Sequence, residues 1–306
     1  MTEFVDFHNN PVNKLAGLQV QGTSKNYTLS ISVSGGIGKL RFDLSSENGY
    51  NCLVMANFPL KFKSKVQVAD GTWSFLFEKP AEFVFEAGQY VALVLPRLVV
   101  PDKRGPVRSL SICSAPCEDD LMFALRITDS AYKQTLMTLE PGEVAQATKP
   151  IGHFTLSHAT DDKRIVFLAG GIGVTPIRSI LVEAVQAQLT RPFSFFYSNR
   201  MLKDAAFHEE LKALTLPNYQ YVSTFSQEVL PCAGTNEERG YICEDMLRKY
   251  LPAEEITTSW YYLVGAPAFI EAMEKSLMAM GVAKERFVND PFTGLTSANQ
   301  NIQLVR

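Results

Sequence analysis

The sequence is poor in the residues that build metal and disulfide sites. Its five cysteines, Cys52, Cys113, Cys117, Cys232 and Cys243, are an odd set with no CxxC spacing. That argues against a disulfide framework and against a zinc or iron–sulfur centre, and leaves buried thiols as the expectation. His8, His153, His158 and His208 show no HxxxH or HExxH spacing, so no metal-ligand cluster is expected. Neither sign of charge dominates: 29 Lys and Arg stand against 32 Asp and Glu, a formal charge of -3, which offers no grip on a nucleic-acid backbone. No run reaches the ~18 apolar residues of a membrane span, and the opening MTEFVDFHNN has acids where a signal peptide needs basic residues, so a cytoplasmic location is expected. The stretch SGGIGK lacks GxxxxGK[ST] spacing and reads as a glycine turn, not a phosphate loop.

What is present suits a soluble globular chain: 46% hydrophobic residues over 306 positions. A single core rarely grows beyond about 250 residues, so roughly two domains are expected. Residues 1–60 are polar and rich in Asn, Ser and Gly, with β-like runs YTLSISVS and KLRFDLS; they read as a small β extension of unknown role. Residues 61–157 read as short strands between turn signals, among them WSFLFE, YVALVLP, RSLSIC and LMFALRIT. Residues 158–306 alternate unbroken apolar strands with amphipathic helices, the pattern of βαβ units and a parallel sheet covered on both faces. The fold class read here is therefore two-domain, β followed by α/β.

The stretch RIVFLAGGIGVTPIRSIL runs from a buried strand through a glycine turn into a helix. Gly170, Gly171 and Gly173 permit close approach of a ligand to the backbone, Thr175 is placed to cap and Pro176 to open the helix, and the helix N-terminus favours an anion. The spacing is GxGxxP, not GxGxxG, so this turn alone leaves dinucleotide binding and a plain structural turn both open.

Four segments in fixed order, RSLS at 108–111, GHF at 152–154, GGIGVTP at 170–176, and VGAP at 264–267 with the closing FTG at 292–294, resemble the ferredoxin–NADP reductase family. The resemblance covers about 240 residues and leaves out the first 60. It implies an antiparallel Greek-key β barrel holding FAD, or FMN, followed by a domain binding NADPH or NADH, with reaction where they meet. On the flavin side it implies Arg108 at the flavin phosphate, Ser109, Leu110 and Ile112 along the cofactor, and Ser111 near flavin N5. The segment TDSAYKQTLMTLEPGE reads as a helix capped by Asp129 or Ser130; its N-terminus is expected near the phosphate, with Lys133 adding charge and Tyr132 as an adjacent ring. Gly152 belongs to the same implied site. On the nucleotide side it implies Thr175 and Gly265 near the nicotinamide, Gly171, Gly173 and Pro176 at the turn that suits the dinucleotide phosphate, and Ser198 and Arg200 of YSNR at the ribose, Arg200 suiting a 2′-phosphate.

The sequence departs from the family at Leu110, where many relatives have an aromatic, at Val264 and Ala266 in place of the CGPP cysteine and first proline, and at Asp290 and Leu295 in place of ExFxGY. Asp290 retains a carboxylate and stands with Ser111 as a catalytic candidate. The function implied is hydride transfer from NAD(P)H to flavin, with electrons passed to a separate ferredoxin, flavodoxin or oxygenase component. Arg97, Lys103, Arg104 and Arg108 are a candidate docking patch for an acidic carrier. The alternatives are a free-flavin, ferric or quinone reductase, or a non-catalytic binding module on the same fold.

Overall fold

The computed structural model describes residues 18–23, 26–33, 36–43, 58–228 and 236–292. Thr293, Gly294 and Leu295 of the closing motif, with His8, Cys52 and Cys232, lie outside the described residues. The chain divides into two compact units, 1–55 and 56–306. In the first, β1 (Leu18–Thr23), β2 (Asn26–Val33) and β3 (Gly36–Asp43) form an antiparallel sheet in that order, and the two β-like runs fall largely on β2 and β3. The unit ends at Met55, short of the boundary expected at residue 60.

The second unit opens with six strands: β4 (Phe58–Ala69), β5 (Thr72–Glu78), β6 (Tyr90–Val94), β7 (Val107–Ser111), β8 (Asp120–Arg126) and β9 (Val144–Ala147), with helix α1 (Ala131–Met137) between the last two. They form one antiparallel sheet in the order β7-β6-β9-β4-β5-β8. β4 is long enough to serve two partners, pairing with β9 through Phe58–Lys61 and with β5 beyond a bulge at Phe62–Ser64. Asp70 and Gly71 make the β4–β5 turn, and Gly71 takes φ +63°, a left-handed conformation that glycine adopts without steric cost. Side chains alternate in and out, so Phe62, Phe77 and Phe123 meet edge to face in the core, at 5.4 and 5.8 Å between ring centroids. The sheet is barrel-like but not laddered shut: β7 and β8 are its outer strands, joined beyond the end of β7 by the Cys113 N–H donating to the Met122 carbonyl at 2.8 Å.

The α/β half contains β10 (Ile165–Gly170), α2 (Val174–Gln186), β11 (Phe193–Asn199), α3 (His208–Lys212), β12 (Tyr219–Phe225), β13 (Glu237–Arg239), α4 (Glu244–Tyr250), β14 (Trp260–Gly265), α5 (Pro267–Ala279) and β15 (Phe287–Pro291). Its parallel sheet has the order β13-β12-β11-β10-β14-β15. Strand β10 feeds both faces: Ile165, Phe167 and Ala169 enter one apolar cluster, Val166 and Leu168 the other. The sequence order reverses between β10 and β14, and the crevice outside the carboxyl ends of strands at such a switch point is where α/β sheets bind ligands.

The two halves of this unit pack directly on each other. Phe154, just past the β half, enters the α/β core and meets Tyr262 at 5.2 Å, while the Tyr262 hydroxyl donates to the Thr155 carbonyl at 2.7 Å. Gly88 is obligatory at this seam, since a Cβ there would lie 1.9 Å from the Phe154 carbonyl oxygen.

Candidate active site

The switch-point crevice is built by glycine. Gly170–Gly173 follow β10 and Gly265 ends β14; Gly171 takes φ +56° and Gly265 φ +146°. A Cβ on Gly173 would lie 2.7 Å from the Val264 carbonyl oxygen, and one on Gly265 3.3 Å from the Gly170 oxygen, so the two turns nest only without side chains. The Phe269 ring lies 3.3 Å from the position a Gly170 Cβ would take, flooring the crevice from α5. Thr175 and Pro176 correct the sequence reading. A 3₁₀ turn at Gly171–Gly173 merges into α2, so the helix begins at Val174 with Gly173 as N-cap. Thr175 is buried within the helix, its hydroxyl donating to the Ile172 carbonyl at 3.2 Å, and Pro176 is the third helical residue and also buried.

Facing this crevice from the β half is the end of β7. Ser111, at the end of β7, lies close enough to Asp290 on β15 for its side chain to favour the charged carboxylate, so residues of the two halves meet here. Asp290 is half-buried; burial pushes its carboxyl up to about 6, against the opposing pull of His153 and Ser111. Tyr90, opposite Ser111 in the β6–β7 register and bridged to Ile151, has its hydroxyl pushed above the usual phenol range by burial and then by the Asp290 charge. Gly152, at φ +115°, lets the Tyr90 ring lie against the chain, 3.0 Å from where a Cβ would be. Asp290 lies on an edge strand paired to β14 through Val264. The sequence reading missed Tyr90 and His153, whose place beside Asp290 depends on strand register and not on any spacing along one segment.

Arg108, the second residue of β7, lies 14% exposed by side chain. Its guanidinium pairs with Asp102 at 2.6 Å and donates to the carbonyls of Arg104, Gly105 and Val107 at 3.2, 2.9 and 2.6 Å. It stands 5.1 Å over the ring of Tyr132. Burial, then the nearby Arg104, lowers its affinity for its proton; Lys133 on α1 is lowered by burial and by Arg126, Arg104 and Arg108. Four cations thus crowd one place, and a bound anion relieves that repulsion. The charge of this cluster suits the pyrophosphate of a flavin dinucleotide, with Lys133 beside Arg108; here the Arg108 Nη groups are engaged by Asp102 and three carbonyls, so a phosphate would have to compete with Asp102 for them.

Two implied cofactor residues are corrected here. Tyr132 is fully buried, its hydroxyl donating to the Leu93 carbonyl at 3.0 Å, so it supports Arg108 from beneath and offers no ring face to a ligand. Ile112 is fully buried in the β core. Ser109 is exposed and Leu110 half-buried. Ser130 is the N-cap of α1 but makes no side-chain cap bond, and Asp129 is not the cap.

At the carboxyl edge of β11, Ser198 is half-buried and Arg200 exposed. The Gln227 N–H donates to the Arg200 carbonyl at 2.8 Å, continuing the β11–β12 ladder, and β13 ends alongside at Arg239 with Tyr241, 75% exposed, two residues on. Arg239 and Tyr241 are thus further candidates at the ribose end. Of the proposed docking residues, Arg97 is tied to Glu143 at 3.0 Å, which leaves Lys103 and Arg104 exposed beside Val99 and Val100. The thiols also differ from expectation: Cys113 is buried, but Cys117 and Cys243 are exposed. Among the described residues no group of three or more His, Cys, Asp or Glu is placed to hold a metal ion, and no helix is long and apolar enough to cross a membrane.

Residues 167–275 match the family described as the oxidoreductase NAD-binding domain. Flavohemoprotein A of Dictyostelium discoideum is 24% identical over 247 residues, covering 76% of this chain and 59% of its own length. The chain spans about half the length of the curated relatives it matches. The cytochrome P450 reductase GcoB of Amycolatopsis superposes with TM-score 0.65 at 24% identity, over 77% of this chain and 70% of its own. A ferredoxin NADP+ reductase of Neisseria gonorrhoeae, with bound FAD and NADP, superposes with TM-score 0.63 at 20% identity, over 76% and 98%. Residues 58–292 therefore have the two-domain fold of the ferredoxin–NADP reductases, with an oxidoreductase NAD-binding domain as the second half.

Proposed function

We propose that this chain is an NAD(P)H-dependent flavin oxidoreductase that passes electrons to a separate acceptor. The observation that carries the reading is the placement of Asp290, at the carboxyl edge of the parallel sheet, beside Ser111 at the end of β7 and across from the Gly171–Gly173 and Gly265 turns. When bound, the flavin supplies the redox chemistry, taking a hydride from the nicotinamide and giving up electrons one at a time.

The protein's residues do the rest. Arg108 and Lys133 hold the flavin phosphates, and Gly171, Gly173 and Gly265 leave room for the nicotinamide end of the dinucleotide. Ser111 can donate or accept a hydrogen bond at the reacting edge of the ring, and Asp290, with a carboxyl near 6, can take up or release a proton there near neutral pH. Arg200, with Arg239 and Tyr241, reads the ribose end, and the cations favour NADPH.

For the acceptor, Lys103 and Arg104 beside the exposed Val99 and Val100 suit a small acidic carrier protein, such as a ferredoxin or flavodoxin, or an oxygenase component. The likeness to a cytochrome P450 reductase supports a protein acceptor such as an oxygenase component. The test is an anaerobic absorbance titration of the FAD-loaded protein, with NADPH and NADH in separate runs. Bleaching of the bound flavin is the expected outcome, at lower concentrations of NADPH than of NADH. A protein that stays colourless after FAD is supplied would instead be a binding module on this fold.

A further inference from the structure

Outside the candidate site one charged side chain is buried across the seam between the two halves. Arg178, in the first half of α2, is 5% exposed, and its guanidinium makes four hydrogen bonds and two ion pairs. Nη1 donates to the Cys113 carbonyl at 3.0 Å and to Glu118 Oε2 at 2.8 Å, and Nη2 to Glu118 Oε1 at 3.0 Å. Nη2 and Nε reach the Glu210 carboxylate at 2.7 and 3.1 Å. The guanidinium lies 5.3 Å from the ring centre of Phe207, whose backbone is in the left-handed region at φ +59° and starts α3. Neighbouring residues of α2 grip the same β segment: the Ser179 hydroxyl donates to the Ser114 carbonyl at 2.7 Å, and Glu183 accepts from the Cys117 N–H at 3.0 Å.

The two things clamped together are the immediate continuations of the two half-sites. Cys113 lies two residues after Ser111, and α2 grows directly out of the Gly171–Gly173 turn. A tilt of α2 against residues 113–118 therefore moves the glycine crevice against the end of β7. Hydride transfer is sensitive to such a shift, because a misplacement of about 1 Å can cost on the order of a hundredfold in rate. A Lys at this position keeps the charge but has three donors on one point, and cannot bind two carboxylates and a carbonyl in a fixed plane.

We propose that Arg178 is a positioning residue, which sets the distance and tilt between the nucleotide crevice and the Ser111 end of β7 through its planar contacts to Glu118, Glu210 and the Cys113 carbonyl. The inference rests on the reductase reading and adds to it a residue that touches neither cofactor. The experiment compares the full-length wild type with Arg178→Lys, and with Glu118→Gln as a second variant that keeps the guanidinium. Three quantities are read: flavin and NAD(P)H dissociation constants, the single-turnover rate of bound-flavin reduction, and hydrogen exchange of residues 113–118 and 174–181 in the flavin-free protein. Expected in both variants are dissociation constants within about threefold of wild type, reduction at least tenfold slower, and faster exchange in both segments. Reduction at the wild-type rate, even with a lowered melting temperature, would overturn the positioning role and leave Arg178 as a structural tie. A wild type that takes up no flavin, or is not reduced, would overturn the reductase reading itself and the role of Arg178 with it.

Discussion

Asp290 shows how placement alone changes a side chain's chemistry. A carboxyl with an ordinary value of 3.8 is raised to about 6 by burial, although His153 and Ser111 both favour its charged form. Because the folded value exceeds the unfolded one, the stability this group contributes is fully present below about pH 4 and is lost as pH rises through about 6. Asp290→Asn is therefore expected to stabilise the flavin-free protein by roughly 1–2 kcal/mol at pH 8 and to leave it little changed at pH 4. Urea denaturation at the two pH values checks this, and an equal effect at both would remove the burial argument. At this scale the sequence was informative about strand ends, such as Arg108 and Ser111, whose motif is local. It misplaced Tyr132, because an aromatic at the start of a helix looks the same whether its ring faces a ligand or supports an arginine from below.

At the scale of elements, the glycine turn after β10 is the part most dependent on sterics. Gly173 and Gly171 make an instructive pair. A Cβ on Gly173 meets the Val264 carbonyl in the middle of the sheet, where neither strand can yield, while one on Gly171 meets nothing within 4 Å and is opposed only by its φ of +56°. Gly173→Ala is expected to cost about 1–3 kcal/mol through overpacking, and Gly171→Ala about 1 kcal/mol through the left-handed backbone. Chemical denaturation of the two variants tests the order; a larger loss at Gly171 would contradict it. The turn and its helix were legible because the strand, glycines and amphipathic period are contiguous. The cap was not, since a 3₁₀ turn running into α2 makes Gly173 the N-cap and pulls Thr175 inside the helix. β15 was not legible either: a five-residue stretch ending in proline becomes a strand only because the edge of β14 is there to pair with it.

For the whole second unit, the seam between the β and α/β halves depends on carboxylates remaining charged. Glu118 is half-buried; burial works to raise its pKa, but Arg178 and the Ala115 N–H hold it below the usual 4.5. A depressed folded value means that its stabilisation is present above about pH 4.5 and is lost as pH falls below that. Acid titration from pH 6 to pH 3, followed by hydrogen exchange of residues 113–118, is expected to show protection falling through this range. Glu118→Gln should show less change across it, and an identical acid response in the variant would remove Glu118 as the group responsible.

What the sequence by itself determined was local. The period of the apolar residues, the Asp-Gly and Gly-Gly turns, and the order of four short motifs are set by neighbouring residues, and they sufficed to read a β half followed by a parallel α/β half. The tertiary structure decided which distant residues meet: Asp290 with Ser111 and His153, Arg178 with Glu118 and Glu210, and Arg108 with Asp102 above Tyr132. Those pairings follow from strand register and from how the two halves pack, which are cooperative properties of many contacts and are not written in any one segment of the chain.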